Sequence, residues 1–284
     1  MNQGIDHKTL SFVIMEWVLC IFALFMAIHF NKQWLYILMA IFIGTRQHAM
    51  FILFHDAVHH HFAKNKRLNY FIANLLIGIP LNIPLQAYRG LHIAHHKYVG
   101  TKDDPERILL FKGQFWNFKP LVFWQLIIQL LSDLLMINIF VTIVIYFKNL
   151  SFFYAQTKQI RIRWYWETFL NILIWWSFIA VLFWTNSQMA WKIVLLWNIP
   201  ILTVNPLFQK IRSFAEHNSP DSAVMTNNWS PGLIGRLLIW PYNINYHQIH
   251  HSTPNIHWHK LKITSDDIMR RKGSELIPYI LKLK

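Results

Sequence analysis

One cysteine, Cys20, stands in the whole chain, and it lies in an apolar stretch. A disulfide framework, a CxxCH haem attachment and any thiolate-rich zinc or iron–sulfur cage are thereby excluded. Charge is also scarce. Asp, Glu, Lys and Arg make up 14% of the 284 residues, against 54% hydrophobic and 16% aromatic, a balance that belongs to an integral membrane protein rather than a soluble domain. Acidic residues are fewest, 13 against 27 Lys and Arg, which leaves a net charge of +14. The basic residues fall in short loops between apolar runs and not on one soluble face, which argues against a nucleic-acid partner. They read instead as topology signals and as a surface for anionic headgroups or an acidic protein. No internal repeat, low-complexity tract or flexible linker divides the chain, so the expectation is one membrane-embedded domain over residues 1–284.

The apolar runs set the architecture. Leu10 to Phe30 is long enough to span a bilayer and lacks a basic leader and a small-residue cleavage site, so it reads as a retained helix and not a signal peptide. Trp34 to Phe54 returns, carrying Arg46 and His48 inside it. Two further spans are expected at Trp164 to Trp184 and Trp191 to Phe208, joined by a polar turn at Thr185–Gln188. Tyr70 to Tyr88 is interrupted by Pro80 and Pro84, and Leu121 to Phe147 carries Asp133, which is costly if it faces lipid. Both are placed as interfacial or re-entrant. Only Lys32 and Lys192 of the basic residues then fall in the outer turns, with Arg46 intramembrane, and the positive-inside rule puts both termini in the cytoplasm. The expected fold is an all-α integral membrane protein with about four transmembrane helices, interfacial or re-entrant helices, and a cytoplasmic histidine-rich cap.

Histidine must carry any metal chemistry, and it is plentiful. His55, His59 and His60 stand in HDAVHH, His92, His95 and His96 in HIAHH, and His247, His250 and His251 in HQIHH. Positions i, i+3 and i+4 share one helical face, so each cluster offers two or three imidazoles toward one point. His55 and His59 lie one turn apart at the end of the second span, whereas His60 points elsewhere if the helix persists and ranks below them. One such cluster alone is equally a basic patch meeting headgroups; three of matching form on one side describe a metal cage. RSFAEH adds a fourth element, with Arg212 and Glu216 at salt-bridge spacing and His217 about 14 Å beyond Phe208 on a continued helix. Neutral imidazole suits iron, zinc or copper, and this number of ligands exceeds one structural zinc, so two metals are expected.

These residues resemble the membrane fatty acid desaturase superfamily, whose hydroxylase and ketolase relatives share the same histidine boxes. The likeness runs from RQHAMFILFHDAVHH at Arg46, through RGLHIAHHKYVGTKDDP and RSFAEH, to NINYHQIHHSTPNIHWHKL, or residue 46 to about 261. It implies a non-haem diiron centre that activates O2 against an unactivated C–H bond. Position by position, it implies the ligands His55, His59, His92, His95, His96, His217, His247, His250 and His251, with His60 a further possibility. One departure stands out: Pro254 is kept after the last box, but His257 occupies the place where relatives often have a second proline.

Metal-bound imidazoles usually donate their other N–H to a carboxylate or carbonyl. Asp56, Asp104 and Glu216 are the candidates for that role, although Asp104 precedes Pro105 and is equally a turn former. Asn243 and Asn245 either orient a metal-bound water or cap the helix bearing His247. The Trp-rich spans, Trp175 and Trp176 included, read as interface anchors and packing. No HPGG haem signature or cluster-binding cysteines accompany the boxes, so electrons must come from an acidic donor such as ferredoxin, or from cytochrome b5 or rubredoxin. The implied function is O2-dependent desaturation of a fatty acyl chain, on a membrane lipid or acyl carrier, in a bacterial inner membrane with the boxes cytoplasmic. The alternatives are a lipid hydroxylase, a carotenoid ketolase or hydroxylase, and, from another class, a zinc-dependent membrane hydrolase or a metal transporter.

Overall fold

The computed structural model describes residues 4–111, 122–148, 158–217, 226–262 and 271–281. The described residues are overwhelmingly helical, as expected of an all-α membrane protein. They form two compact units, residues 1–89 with 156–205, and residues 90–155 with 206–284. Among the described residues, four helices are long and apolar enough to cross a membrane: His7–Phe30, Gln33–Val58, Trp164–Thr185 and Ser187–His217. They are the four runs expected from the sequence, the last extended by the helix that carries His217.

In the first unit, Asp6 starts the helix His7–Phe30 by accepting from the amides of Lys8 and Thr9 at 3.0 and 3.3 Å, satisfying two of the otherwise unpaired first-turn donors. Asn31 ends it in the left-handed conformation, φ 48°. At the same end of this unit Asn186 caps the next turn through Met189, and Lys192 reaches Asn31 at 3.3 Å. The outward faces of the first two spans are large and apolar, with Val18, Phe22, Phe25, Trp34 and Ile37 exposed, as a lipid-facing surface requires. Every residue from Ile43 to Val58 is buried. A Cβ on Gly44 would sit 2.4 Å from Val204, so only glycine permits this helix approach. The charge expected inside the second span has an interior partner: Arg46 meets Glu16 at 3.4 Å, both side chains buried, which is how a buried charge is tolerated.

The run with Pro80 and Pro84 is broken. The helix Lys66–Ala73 widens into a π turn at Asn74–Gly78, Asn82 takes φ 56°, and the chain bends by 94° before Leu85–Tyr98 resumes. Helix-start amides buried at such a break need partners. Asn74 accepts from Leu85 N at 3.1 Å, and Glu167 accepts from Gln86 N at 3.2 Å and from Asn74 at 2.8 Å. Trp197, stacked on Trp17 at 5.0 Å, donates to the Pro80 carbonyl. Trp175 is buried and donates to Asn198, while Trp176 is exposed. They pack or anchor, as read from the sequence.

In the second unit, the run starting at Leu121, itself outside the described residues, also bends. Phe123–Leu134 turns by 81° into Ile137–Ile145 at Met136, φ 61°. Asp133 does not face lipid. It is buried and accepts from Gln129 at 2.9 Å, from Asn138 at 2.7 Å and from Lys210. A two-residue parallel pairing, Trp229–Ser230 with Arg271–Lys272, and the short helices Pro105–Phe111, Leu233–Leu238, His247–Ser252 and Leu276–Leu281 also belong to this unit.

Candidate metal centre

Each later histidine box is one helical face, yet the structure divides it. His92, His95 and His96 lie on the helix Leu85–Tyr98, and His247, His250 and His251 on His247–Ser252. A helix advances about 100° per residue, so i and i+4 stand about 40° apart while i+3 lies about 60° to the other side of i. The i+3 member therefore serves a different point. His95 joins His217, His247 and His251, four residues whose ligand nitrogens all lie within 4.8 Å of one another. His250 joins His92 and His96, with His96 Nε2 at 2.8 Å from His92 Nε2 and 3.1 Å from His250 Nε2. The two sets are neighbours, since the rings of His96 and His251 stack at 4.1 Å. One point per cluster was the sequence expectation; two points shared between two clusters is what the helical pitch delivers.

The four-histidine set fits a metal. His247 Nε2 stands 3.1 Å from His217 Nε2 and 3.0 Å from His251 Nε2. Nitrogens that accept cannot face one another at such distances unless a proton or a cation lies between them. Two imidazole nitrogens held about 2.1 Å from one ion at right angles are about 3.0 Å apart. His95 Nε2 is buried without a hydrogen bond, while its other nitrogen, Nδ1, is held by Asp104 at 2.8 Å. Likewise Glu216 stands 3.4 Å from His247 Nδ1 and is itself held by Arg212 at 2.7 Å. The Asp104 carboxylate on the far nitrogen of His95 fixes that ring so that its Nε2 faces inward.

Protonation points the same way. Burial, reinforced by neighbouring His95, lowers His96 to about 4. Burial also takes His247 well below its ordinary value, with His251 and His217 adding to it. Both present neutral imidazole at neutral pH, the form that ligates. His95 differs: burial would lower it, but Glu106 and Asp104 outweigh burial and raise it.

In the first unit, His55 is buried near the end of Gln33–Val58 and His59 is the residue that closes that helix, with ring centroids 5.8 Å apart. Asn69 fixes the following turn by donating to the Ala57 carbonyl and accepting from Phe62 N, both at 2.9 Å. His60 lies past the helix end at φ 64°, and burial followed by Arg89 and Lys66 lowers it to about 4. It belongs to neither converging set of the second unit. Asp56 turns to His61 Nδ1, 2.7 Å away, and not to a box ligand. Asp104 fills both roles read for it: besides holding His95 it accepts from Glu106 N at 3.0 Å at the start of Pro105–Phe111.

Neither Asn243 nor Asn245 caps the helix bearing His247. Asn243 donates to the Trp258 carbonyl at 3.2 Å, and Asn245 exchanges hydrogen bonds with the Trp229 backbone, both 2.8 Å. The first turn of His247–Ser252 is instead capped from a distance by Asn228, which accepts from Gln248 N at 3.0 Å. Asn227 donates to the Ala215 carbonyl at 3.0 Å, and its amide donates to Glu216 O at 2.7 Å. These two asparagines tie the last box to the helix bearing His217. Nothing in their local sequence announces the task, because both partners are remote along the chain.

A helical membrane chain whose histidine boxes interleave into neighbouring nitrogen-rich sets defines a class, the histidine-box membrane metalloproteins. The family model for fatty acid desaturases matches residues 32–281. The chain belongs to that family. It is also similar to dihydrorhizobitoxine desaturase of Bradyrhizobium elkanii, 34% identical over 89 residues, which are 31% of this chain and 25% of that protein. The matched segment thus spans about a quarter of the curated relative's length.

Proposed function

We propose that this protein is a membrane non-haem diiron oxidoreductase that uses O2 and two external electrons to desaturate a fatty acyl chain. In balance, the acyl chain gives up two hydrogens, O2 takes these with two electrons and two protons, and two waters leave. The observation that supports this reading most is the four-histidine set, with the His95 ring held by Asp104, in a chain of the desaturase family. His95, His217, His247 and His251 would hold one iron. His92, His96 and His250 would hold the other, with His55 and His59 added on the strength of the box order in sequence. When bound, the irons supply the redox chemistry that O2 reduction and C–H cleavage need. The chain's own residues do the rest: Asp104 sets the ring orientation of His95, and burial of the ligands excludes water.

The desaturase named among the relatives favours loss of two hydrogens over gain of oxygen. The exposed apolar faces of the spans favour a hydrocarbon substrate arriving from the bilayer, worth roughly 0.8 kcal/mol per methylene. Basic loops favour cytoplasmic boxes in a bacterial inner membrane and an acidic electron donor. The test is expression in a bacterial host of defined lipid content, with mass spectrometry of total lipids. Acyl chains lacking two hydrogens support the proposal. Acyl chains or added carotenoids that gain oxygen replace it with the hydroxylase or ketolase reading.

A further inference from the structure

The most exposed large aliphatic side chains among the described residues lie outside the four spans. They are Leu233 and Ile234, 74% and 73% exposed, on the six-residue helix Leu233–Leu238 of the second unit. Leu237, one turn on, is exposed as well. These three positions share one helical face, and Arg236 is exposed on its flank. At about 9 Å long the helix is far too short to cross a bilayer. Its other side is fixed to the interior. A Cβ on Gly235 would stand 2.9 Å from Pro231, and the Trp240 amide donates to the Gly235 carbonyl at 2.8 Å. The buried Trp240 ring stacks on that of Trp229 at 5.2 Å, and Trp229 donates to the Ala215 carbonyl at 3.0 Å. The strand residue Lys272, exposed, pairs with Ser230, and Gly273 lies against Pro231 and Gly232 at the start of the helix. Arg271 is engaged elsewhere, by Asn227 and the Tyr279 ring.

We propose that the face formed by Leu233, Ile234 and Leu237 is an interfacial anchor, inserted at the boundary of lipid headgroups and acyl chains, with Arg236 and Lys272 meeting anionic headgroups. Aliphatic side chains on one face of a short helix, flanked by cations, are the pattern of in-plane membrane contact. Charge agrees: in residues 229–238 and 271–281 three cations, Arg236, Arg271 and Lys272, stand against one acidic residue, Glu275. Size decides against a protein partner. Three such side chains make a patch of a few hundred Å², short of the roughly 800 Å² per partner that a stable protein interface takes. A lipid surface needs no matching shape, and a chain with four spans always has one within reach. The contact has a consequence for the site. Through Trp240 and Trp229 the anchor is joined to the backbone at Ala215, beside Glu216 and His217, so the bilayer steadies the second unit at a point between the last span and the last box.

The experiment places the full chain in nanodiscs of phosphatidylcholine, with and without phosphatidylglycerol. An environment-sensitive fluorophore is attached to Leu233→Cys or Ile234→Cys in a Cys20→Ala background. Ile37→Cys, exposed on the second span, serves as the lipid-facing reference, and Thr101→Cys, exposed in a loop, as the aqueous one. Labels at 233 and 234 should be quenched by nitroxide-bearing lipids to within about twofold of Ile37→Cys and lose most of their quenching by iodide, while Thr101→Cys shows the reverse. Phosphatidylglycerol should increase the lipid quenching, and Arg236→Gln with Lys272→Gln should remove that increase. Both labelled side chains are exposed, so neither replacement disturbs packing, and each position checks the other. Iodide quenching at 233 and 234 as full as at Thr101→Cys overturns the inference. Shielding from iodide without lipid quenching overturns it too, since a second copy or another protein then covers the face. Lipid quenching that ignores phosphatidylglycerol overturns the part given to Arg236 and Lys272.

Discussion

At the scale of single residues, the site is a matter of which imidazole nitrogen faces where. His217 and His251 each contribute an Nε2 to the four-histidine set, and among the described residues no further ligand joins that set. Replacing either by alanine should abolish turnover and lower bound metal, while His29→Ala, exposed at the far end of the first span and stacked on Phe25, should leave both unchanged. Metal analysis with a lipid assay checks this, and full activity in His217→Ala would remove it from the ligands. Asp104 permits a finer separation. Asp104→Asn keeps an acceptor for the helix start but loses the charge on His95, so metal affinity should fall about 10- to 100-fold with little change in melting temperature. Asp104→Ala should add a stability loss of about 1 kcal/mol for the lost cap. The histidines themselves were legible as i, i+3, i+4 clusters. Their division between two sets was not read off, although the pitch of a helix contains it. Asn227 and Asn228 were invisible, because their meaning depends on partners that only folding brings near.

At the scale of elements, the four spans were readable because each is a predominantly apolar run of about bilayer length. The two ambiguous runs were readable as interrupted, from Pro80 and Pro84 in one and Asp133 in the other, but the means of tolerating each interruption was not. Glu167 and Asn74 receive the buried amides at the first bend, and Lys210 with Gln129 and Asn138 receives Asp133 near the second. Glu16, the partner of Arg46, stands 30 residues away in another helix. Asp133→Ala would leave Lys210 buried without a counter-charge, a loss of about 3–5 kcal/mol, seen as earlier thermal unfolding in detergent. An Asp133→Leu, Lys210→Met pair should recover most of it; an equally unstable double variant would mean that the ion pair does more than neutralise itself. Reporter fusions check the course of the chain: one in the Thr185–Gln188 turn should report the outside, and those after His61, Thr101 and Lys158 the cytoplasm. An outside signal at Lys158 would make the Leu121–Phe147 run a span and require the boxes to be placed anew.

At the scale of the whole molecule, composition and function meet in charge and in metal. A chain of net charge +14 with its basic residues in loops should draw an acidic electron donor by screened attraction, so the second-order rate of reduction should fall as ionic strength rises. A rate indifferent to salt would discard electrostatic docking. The central claim is that the interleaved histidines hold two irons, and iron content tests it most directly. Protein purified from an iron-replete host should carry about two irons per chain by plasma mass spectrometry, and His95→Ala should lose iron while remaining folded. One zinc per chain, or iron that stays at the wild-type level in His95→Ala, would contradict the account.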